Sequence, residues 1–277
     1  MEFNLLPEDC VSHILSLTSP RDACRYCLVS TALRSAAQSN VVWENFLPSD
    51  FQEILWMSVS PVSFLSKKEL YFSLCSPILV DGGRKVFSLD KFTGKKCYML
   101  CARELSITWG SDPMYWTWKP LSESRFAEVA ELRSIWWLEI HGKINSRMLS
   151  PKTTYAAYLV VKFADRAYGL DSLPSELSVE VGSHQSRAKA YLRCHDNRKE
   201  SLERLYYSNR IQVLGARVEQ GEERLPCERS DGWMEVELGD FFTDGCDGEV
   251  KMSLTEVKGY HLKGGLIVEG IEVRPKV

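Results

Sequence analysis

The sequence lacks the features that direct a chain to a membrane, a nucleic acid or the secretory pathway. No stretch approaches the roughly 18 consecutive apolar residues of a membrane-spanning helix. With 34 basic and 37 acidic residues and a formal net charge of −3, no excess of basic charge is available for a polyanion. The opening residues, MEFNLLPEDC, have no positively charged flank of the kind that begins a secretory signal. We therefore expect neither a nucleic-acid nor a membrane partner, a location in the cytoplasm and nucleus, and reduced cysteines.

The first feature along the sequence is a helical head at residues 5–48, in which apolar residues recur three and four positions apart. Pro7 suits a first helical turn, and the acidic residues after it favour the positive end of a helix. Ser19 is placed as an N-cap, with Asp22 three positions later. Another helix start lies near Asn40. These signals predict three or four short helices, which are small for an independent core, so the head is expected to need a partner.

The segments LPEDCVSHILSL, CRYCLVSTALRSAA and VVWENFLP resemble, in order and spacing, the F-box. That motif docks on the Skp-family adaptor of cullin-RING ubiquitin ligases, so the resemblance implies both partners. It also implies a set of residues that face the adaptor or support the motif, namely Leu6, Pro7, Ile14, Leu15, Leu28, Val29 and Trp43. Apolar stripes at this spacing equally well close a helical core, so some of these residues are expected to be internal.

Cys24 and Cys27 form a C-x-x-C, a spacing that also occurs in zinc and redox sites. A structural zinc site needs four ligands, and the later pair, Cys97 and Cys101, has the looser C-x3-C spacing. Two cysteines three positions apart on a helix lie on one side, where they pack as small hydrophobic groups. Packing is the favoured interpretation, and no metal or cofactor is expected.

Residues 49–83 form a connector that keeps large apolar side chains, which indicates packing between two modules rather than a flexible tether. The pattern predicts one or two helices within residues 62–74. The side chains expected to be buried there are Phe64, Leu65, Leu70, Tyr71 and Leu74. The sequence Asp81-Gly82-Gly83 is a strong turn signal.

From Val86 onwards the apolar period approaches two, which is typical of strands. Residues 86–89 and 97–102 predict a hairpin, and the alternation recurs in four later segments, at 155–163, 234–238, 250–254 and 267–273. Many short strands between turns indicate an antiparallel β-sandwich or jelly roll. The charged run at residues 184–230 is interpreted as a solvated loop, because its charges are too balanced to favour nucleic acid. The predicted architecture is therefore α+β and multidomain, with a helical head at 1–48, a connector at 49–83 and a β domain at 84–277.

Five segments of this β domain, among them ARELSITWGSDPMYWTW and EVAELRSIWWLEIHGKI, resemble the Nictaba lectins, also known as phloem lectins. The order of F-box and lectin is that of the plant F-box-Nictaba proteins. Lectins of this family bind glycans that contain N-acetylglucosamine. The resemblance implies a sugar site of two tryptophans and two glutamates, namely Trp109, Trp116, Glu249 and Glu256. An indole face covers the C–H side of a pyranose, and a carboxylate accepts hydrogen bonds from its hydroxyls.

Strand parity tests the two glutamates. Glu249 and Glu256 are seven positions apart, so in one straight strand they face opposite sides of the sheet. Glu256 also lies in phase with the apolar residues of the segment 250–254, which would bury it. The two glutamates can share a site only if one lies beyond the strand end or a bulge intervenes.

The tryptophans are tested in the same way. Trp116 and Trp118 share a strand face. Of the two, Trp118 is the one that we expect to pack in the fold rather than to contact sugar. Trp136 and Trp137 are adjacent and point to opposite faces, so one of them is expected in the core. The preferred sugar contacts are Trp109 and Trp116, on a pair of strands around the turn at residues 110–113.

Three functions remain open at this point. The leading hypothesis is a substrate receptor of a ubiquitin ligase, which captures glycosylated or other clients while its partners transfer ubiquitin. The second is an interaction adaptor whose lectin fold binds polypeptide instead of sugar. The third is a glycoside hydrolase, since two carboxylates near a sugar site can act as acid and base, but nothing else in the sequence supports turnover.

Overall fold

The structure, a computed structural model, describes residues 6–192 and 223–276. The amino-terminal part is helical, as predicted. The helices are α1 (Glu8–Ser16), α2 (Pro20–Tyr26), α3 (Thr31–Ala36), α4 (Asn40–Phe46), α5 (Phe51–Trp56) and α6 (Lys67–Leu74). Within these described residues, no helix is long and apolar enough to cross a membrane.

Side-chain caps set the starts of the short helices. The Ser19 hydroxyl accepts a hydrogen bond from the backbone N–H of Asp22 at 3.1 Å and donates one to the Asp22 carboxylate at 2.8 Å. This confirms the predicted start of α2, because the N-cap satisfies a backbone donor that has no partner within the helix. Ser30, Ser39 and Ser66 cap α3, α4 and α6 in the same way.

The connector packs against both the helical head and the β-sheet. Trp43 of α4 is fully buried, its ring 5.2 Å from that of Tyr71 on α6. The Tyr71 hydroxyl lies 3.3 Å from the backbone carbonyls of Asp90 and Lys91, in the loop that follows the second strand. Buried apolar side chains form one continuous cluster from the head through the connector into the sheets. The connector is therefore not a free tether.

Within the connector, the prediction that Phe64 and Leu65 are buried is wrong. Leu65 is 98% exposed and Phe64 is 39% exposed. The reason is that α6 begins only at Lys67, after its N-cap Ser66, so both residues lie in the loop before the helix and outside its packed face. The other three predicted core residues of this segment, Leu70, Tyr71 and Leu74, are buried.

The rest of the described chain forms strands in two sheets. The strands are β1 (Ile78–Val80), β2 (Lys85–Leu89), β3 (Lys96–Cys101), β4 (Ser106–Ile107), β5 (Trp116–Lys119), β6 (Val129–Leu132), β7 (Leu138–Asn145), β8 (Thr153–Tyr168), β9 (Ser175–Val181), β10 (His184–Ala190), β11 (Glu223–Arg224), β12 (Cys227–Glu228), β13 (Met234–Thr243), β14 (Glu249–Glu256) and β15 (Gly264–Pro275). The first sheet has the order β1-β2-β3-β15-β8-β13-β12, with β6 joining β15 and β5 joining β6. The second has the order β11-β10-β9-β14-β7-β4.

The pairing is antiparallel throughout the described strands except between β10 and β11, which are parallel. This confirms an antiparallel β architecture, and the predicted hairpin is the pair β2 and β3. Alternation explains the layers: Val250, Met252 and Leu254 on β14 are buried, and the residues between them face outward.

The charged run at residues 184–230 is not simply a solvated loop. Its two described ends contribute β10, β11 and β12 to the sheets. Residues 193–222 lie outside the described part, so the loop prediction for them stays a prediction. Periodicity missed β10 because its buried residues are small, with Ala188 and Ala190 alternating with Arg187 and Lys189.

Candidate functional site

The tryptophan-rich segment at residues 105–119 connects the two sheets. Its first strand, β4, pairs with β7 in the second sheet, and β5 pairs with β6 in the first sheet. The expectation of one strand pair around the turn is therefore wrong. The turn at residues 110–113 carries the chain from one sheet to the other, so the residues on either side of it occupy different environments.

Trp109 is presented at the start of this turn. Its backbone has a φ of 54°, in the left-handed region that side chains other than glycine rarely adopt. Two indoles hold the turn in place: the Trp116 N–H donates to the carbonyl of Thr108 at 3.1 Å, and the Trp118 N–H donates to the carbonyl of Gly110 at 2.7 Å. Strained backbone persists where surrounding contacts fix it. The Trp109 side chain remains 41% exposed.

Trp116 is part of the core, which corrects its prediction as a sugar contact. Its side chain is 1% exposed, so neither ring face is open to a ligand. The physical reason is its position on β5, where it packs inward and directs its N–H to the turn. Trp118 is half-buried, with the Arg103 guanidinium 3.6 Å from the centre of its ring. Trp116 and Trp118 therefore support the residue that is presented, Trp109.

Trp109 belongs to a group of four aromatic residues that we name the aromatic cluster: Trp109, Tyr115, Trp136 and Trp137. Ring centres are 5.0 Å apart for Trp109 and Tyr115, 6.3 Å for Trp109 and Trp136, and 5.7 Å for Trp136 and Trp137. Trp136 is 44% exposed and Trp137 is half-buried. The expectation that one of them lies in the core is wrong, because both precede the first residue of β7, Leu138, where regular alternation begins.

The two predicted carboxylates lie at opposite ends of β14. Glu249 pairs in register with Asn145, and Glu256 pairs with Leu138. At about 3.3 Å per residue, seven steps separate them by about 23 Å. Glu249 is exposed and lies 3.3 Å from the Lys143 amine, far from the aromatic cluster, which is at the Leu138 end. The structure therefore does not bring Glu249 into a shared site with Glu256 or Trp109. The alternation of side chains along one strand had already indicated that the two glutamates face different ways.

Glu256 is buried behind the aromatic cluster instead of lining its surface. It is 4% exposed and forms an ion pair with Lys263, which is 1% exposed. The other carboxylate oxygen accepts the backbone N–H of Gly259 at 2.9 Å. Burial of Glu256 follows from its phase with the apolar residues of β14. A buried charge needs a partner, and Lys263 supplies it.

Lys263 links this ion pair to Trp136. Its amine donates a 2.7 Å hydrogen bond to the carbonyl of Trp136, and its backbone exchanges hydrogen bonds with Ile135 at 2.9 and 2.7 Å. Burial lowers the pKa of the Lys263 amine. Glu256 thus fixes Lys263, and Lys263 fixes the backbone of an exposed tryptophan. Sequence reasoning missed Lys263, although the burial phase of Glu256 already required a nearby cation.

Glu139 is the carboxylate close to the presented turn. Its Oε2 accepts a 3.0 Å hydrogen bond from the hydroxyl of Thr108, the residue before Trp109. Exposed indole faces beside a half-buried carboxylate can stack on an apolar ring face and accept hydrogen bonds from hydroxyl groups. This is chemistry suited to binding. The Glu249 and Glu256 pair is too far apart for glycoside hydrolysis, which needs carboxylates roughly 5 to 9.5 Å apart.

The predicted adaptor residues divide by exposure. Leu28 is 83% exposed and Val29 is 69% exposed, and the other exposed members are Leu6, Pro7 and Ile14. Leu15 and Trp43 are buried, as expected for residues that support the motif. The exposed residues Ile14, Tyr26 and Val29 border a hollow of about 220 Å³. The head therefore displays exposed apolar side chains, three of which border this hollow.

Cys24 and Cys27 are half-buried against the core, and the Cys27 thiol donates to the carbonyl of Ala23 at 3.3 Å. Burial raises the pKa of the Cys24 thiol. Across residues 6–192 and 223–276, no three metal-ligating side chains converge. The partial burial of both cysteines and the hydrogen bond of Cys27 agree with the packing interpretation of the C-x-x-C.

Comparison with known proteins identifies both modules. Residues 95–275 match the family model described as "Phloem protein 2", and residues 3–49 match the model described as "F-box-like". The chain belongs to the phloem protein 2 family. It is 50% identical to "F-box protein PP2-B15" of Arabidopsis thaliana, over 98% of this chain and 96% of that protein. It is 48% identical to "F-box protein VBF" of the same plant, over 98% of this chain and 99% of that protein.

The family assignment confirms the predicted order of an F-box followed by a phloem lectin-like domain. Among solved structures, a GH26-CBM35 beta-(1,4)-mannanase of Podospora anserina overlaps 65% of this chain and 28% of that chain, with 9% identity and a TM-score of 0.30. That likeness is too weak to inform either fold or function. The phloem protein 2 match contributes strands to both sheets and contains the whole aromatic cluster.

Proposed function

We propose that this protein is a substrate-recognition subunit of an SCF-type ubiquitin ligase. The F-box-like match supports docking on a Skp-family adaptor and, through it, on a cullin-RING ligase. The observation that carries the proposal is the exposed apolar surface of the head, formed by Leu6, Pro7, Ile14, Leu28 and Val29. An exposed apolar surface of this kind is typical of a site that a partner protein covers. The partners transfer ubiquitin, and this chain is not itself the catalyst.

The docking proposal is tested by co-purification with a Skp-family adaptor. We expect Leu28→Ala combined with Val29→Ala to abolish co-purification, because both side chains are exposed and are available to a partner. The matched control is Leu65→Ala, which truncates a leucine that is 98% exposed on the connector. Adaptor binding that survives the double change, or that is lost equally in the control, contradicts the proposal.

We further propose that the phloem protein 2 domain binds glycans that contain N-acetylglucosamine, with the aromatic cluster as the binding surface. The supporting observation is Trp109, which remains exposed although two other tryptophans hydrogen-bond to the turn that carries it. Trp109 and Trp136 offer indole faces to sugar rings, and Glu139 lies next to the same turn. Clients would then be glycoproteins captured through this surface.

A glycan array and titration with N-acetylglucosamine oligomers test this proposal. We expect binding by the full chain and its loss in Trp109→Ala, with unfolding curves unchanged. The matched control is Trp56→Ala, because Trp56 is 92% exposed on α5, in the connector. Retained binding by Trp109→Ala contradicts the proposed surface.

The alternative is an adaptor that binds polypeptide on a lectin fold. Three of the four sugar contacts implied by the resemblance are missing from the aromatic surface. Trp116 and Glu256 are buried, and Glu249 lies at the other end of β14, about 23 Å from Glu256. Exposed aromatic residues are also typical anchors at protein interfaces. An array without bound glycan, combined with capture of a defined client that is lost in Trp109→Ala, favours this alternative.

A further inference from the structure

A cleft lies on the outer face of the second sheet. It borders the strand β7, because its lining residue Thr255 is directly opposite Glu139. It has a volume of about 630 Å³ and is formed mainly by β9, β10 and β14. Alternation places the apolar residues of these strands inward and their polar residues in the cleft. Small-molecule sites usually occupy roughly 300 to 1,000 Å³, so the cleft is large enough for one or two sugar-sized units.

Register arranges the polar side chains of the cleft in two rows across the strands. The first row is Ser253, Ser178 and Arg187, and the second is Thr255, Glu176 and Lys189, each residue directly opposite the next. The hydroxyls of Ser178 and Ser253 lie 2.8 Å apart. One side of the cleft therefore offers hydroxyl groups, and the other offers cationic side chains.

Among the described residues, the lining of the cleft carries more positive than negative charge. Its charged lining residues are Glu176, Arg187, Lys189 and Lys258. Glu176 already bonds to the Lys258 amine. No carboxylate of the described residues forms an ion pair with Arg187 or Lys189. The hydrogen bond and the charge of Lys258 lower the pKa of the Glu176 carboxyl, and the charges of Lys189 and Arg187 lower it further.

The residues that line the cleft include no aromatic side chain. A neutral pyranose therefore finds no ring on which to stack, in contrast to the aromatic cluster. A ligand of this cleft must be held by charge and hydrogen bonds. Guanidinium groups bind carboxylate and phosphate oxygens through paired hydrogen bonds, and hydroxyl side chains pair with the hydroxyls of a polyol.

We propose that this cleft is a second binding site, for a small hydroxylated anion such as a sugar phosphate or a sugar acid. The acid group pairs with Arg187 and Lys189, and the ligand hydroxyls bond to Ser178, Ser253 and Thr255. The shared chemistry is an anionic group on a polyhydroxylated ring. None of the four residues of the aromatic cluster lines this cleft, so the inference stands whether or not that cluster binds glycans.

Titration of the full chain with glucose 6-phosphate, glucuronate, glucose and inorganic phosphate tests the proposal. We expect the first two to bind, glucose not to bind, and inorganic phosphate to bind more weakly than glucose 6-phosphate. Glucose 6-phosphate carries a phosphate group and glucuronate carries a carboxylate, so comparing their affinities shows which anionic group the cleft binds. Binding should weaken at high salt, because the Debye length falls to about 3 Å at 1 M.

The variant Arg187→Gln with Lys189→Gln should weaken binding of glucose 6-phosphate at least about tenfold, since it removes both charged donors. Both side chains point outward on β10, so folding should be unaffected, as checked by circular dichroism. The matched control is Lys143→Gln, on the same sheet but outside the cleft. The site is refuted if neither anion binds or if the double variant binds as well as the control. Inorganic phosphate binding as tightly as glucose 6-phosphate refutes the role of the hydroxyl groups.

Discussion

Replacing Lys263 with methionine removes the charge partner of Glu256 while it keeps a side chain of similar length in the core. In the native protein Lys263 is 1% exposed and Glu256 is 4% exposed. The change leaves a buried carboxylate whose Oε2 has lost its cation, and it leaves the carbonyl of Trp136 without the 2.7 Å hydrogen bond. Breaking a buried pair by removing one partner costs about 3–5 kcal/mol. We expect the free energy of unfolding to fall by that amount.

Urea unfolding followed by circular dichroism measures this loss. The matched control is Lys143→Met, because the Lys143 and Glu249 pair at 3.3 Å is exposed on both sides and surface pairs contribute about 0–1 kcal/mol. Combining Lys263→Met with Glu256→Leu should recover most of the stability, since apolar replacement of both members of a buried pair is often neutral or stabilising.

Two results would refute this reasoning. If Lys263→Met costs no more than Lys143→Met, the ion pair does not behave as a buried one. If the double variant is as unstable as Lys263→Met alone, the loss comes from the methionine itself and not from the isolated carboxylate. The double variant also separates stability from binding, because it restores the core without restoring the hydrogen bond to the Trp136 carbonyl.

Four further outcomes are expected. Trp116→Ala should destabilise the protein by about 3–5 kcal/mol in urea unfolding, as truncation of a buried tryptophan does, whereas Trp109→Ala should change stability by less than about 1 kcal/mol and should abolish glycan binding. Trp43→Ala should cost about 3–5 kcal/mol, because it also removes the 2.7 Å hydrogen bond from its indole to the Ala37 carbonyl. Leu28→Ala should leave stability unchanged within about 0.5 kcal/mol but should weaken adaptor binding in a pull-down assay. Hydrogen bonds from Lys85 and Arg84 lower the pKa of the Asp81 carboxyl. The contribution of Asp81 to stability is therefore complete above the unfolded pKa of about 3.9 and is lost as the pH falls through the lower folded pKa. The stability difference between the native protein and Asp81→Asn should be largest at neutral pH and vanish in strong acid.

Periodicity predicted those elements that bury one face against the core. The strands β13 and β14 bury the residues that the alternation selected, namely Val236, Leu238, Val250, Met252 and Leu254. The strands β8 and β15 depart from simple alternation, because β8 is buried at consecutive positions and β15 has a bulge between Val268 and Gly270. The same logic placed Glu256 in the core before its partner was known. It failed for β10, where small alanines form the buried face, and for Leu65, which lies just before the start of α6.

The sequence by itself determined the order of the two modules, the antiparallel β architecture and the burial of Glu256, because each is encoded in neighbouring residues. Only the tertiary structure decided which tryptophans are exposed. Trp116 packs inward and supports the turn from which Trp109 projects, whereas Trp136 is fixed by Lys263, a residue 127 positions away. Local spacing fixes which face of a strand a side chain occupies, but pairing between distant segments decides what that face meets. The candidate surface is made of such pairings, and for that reason no single segment of the sequence revealed it.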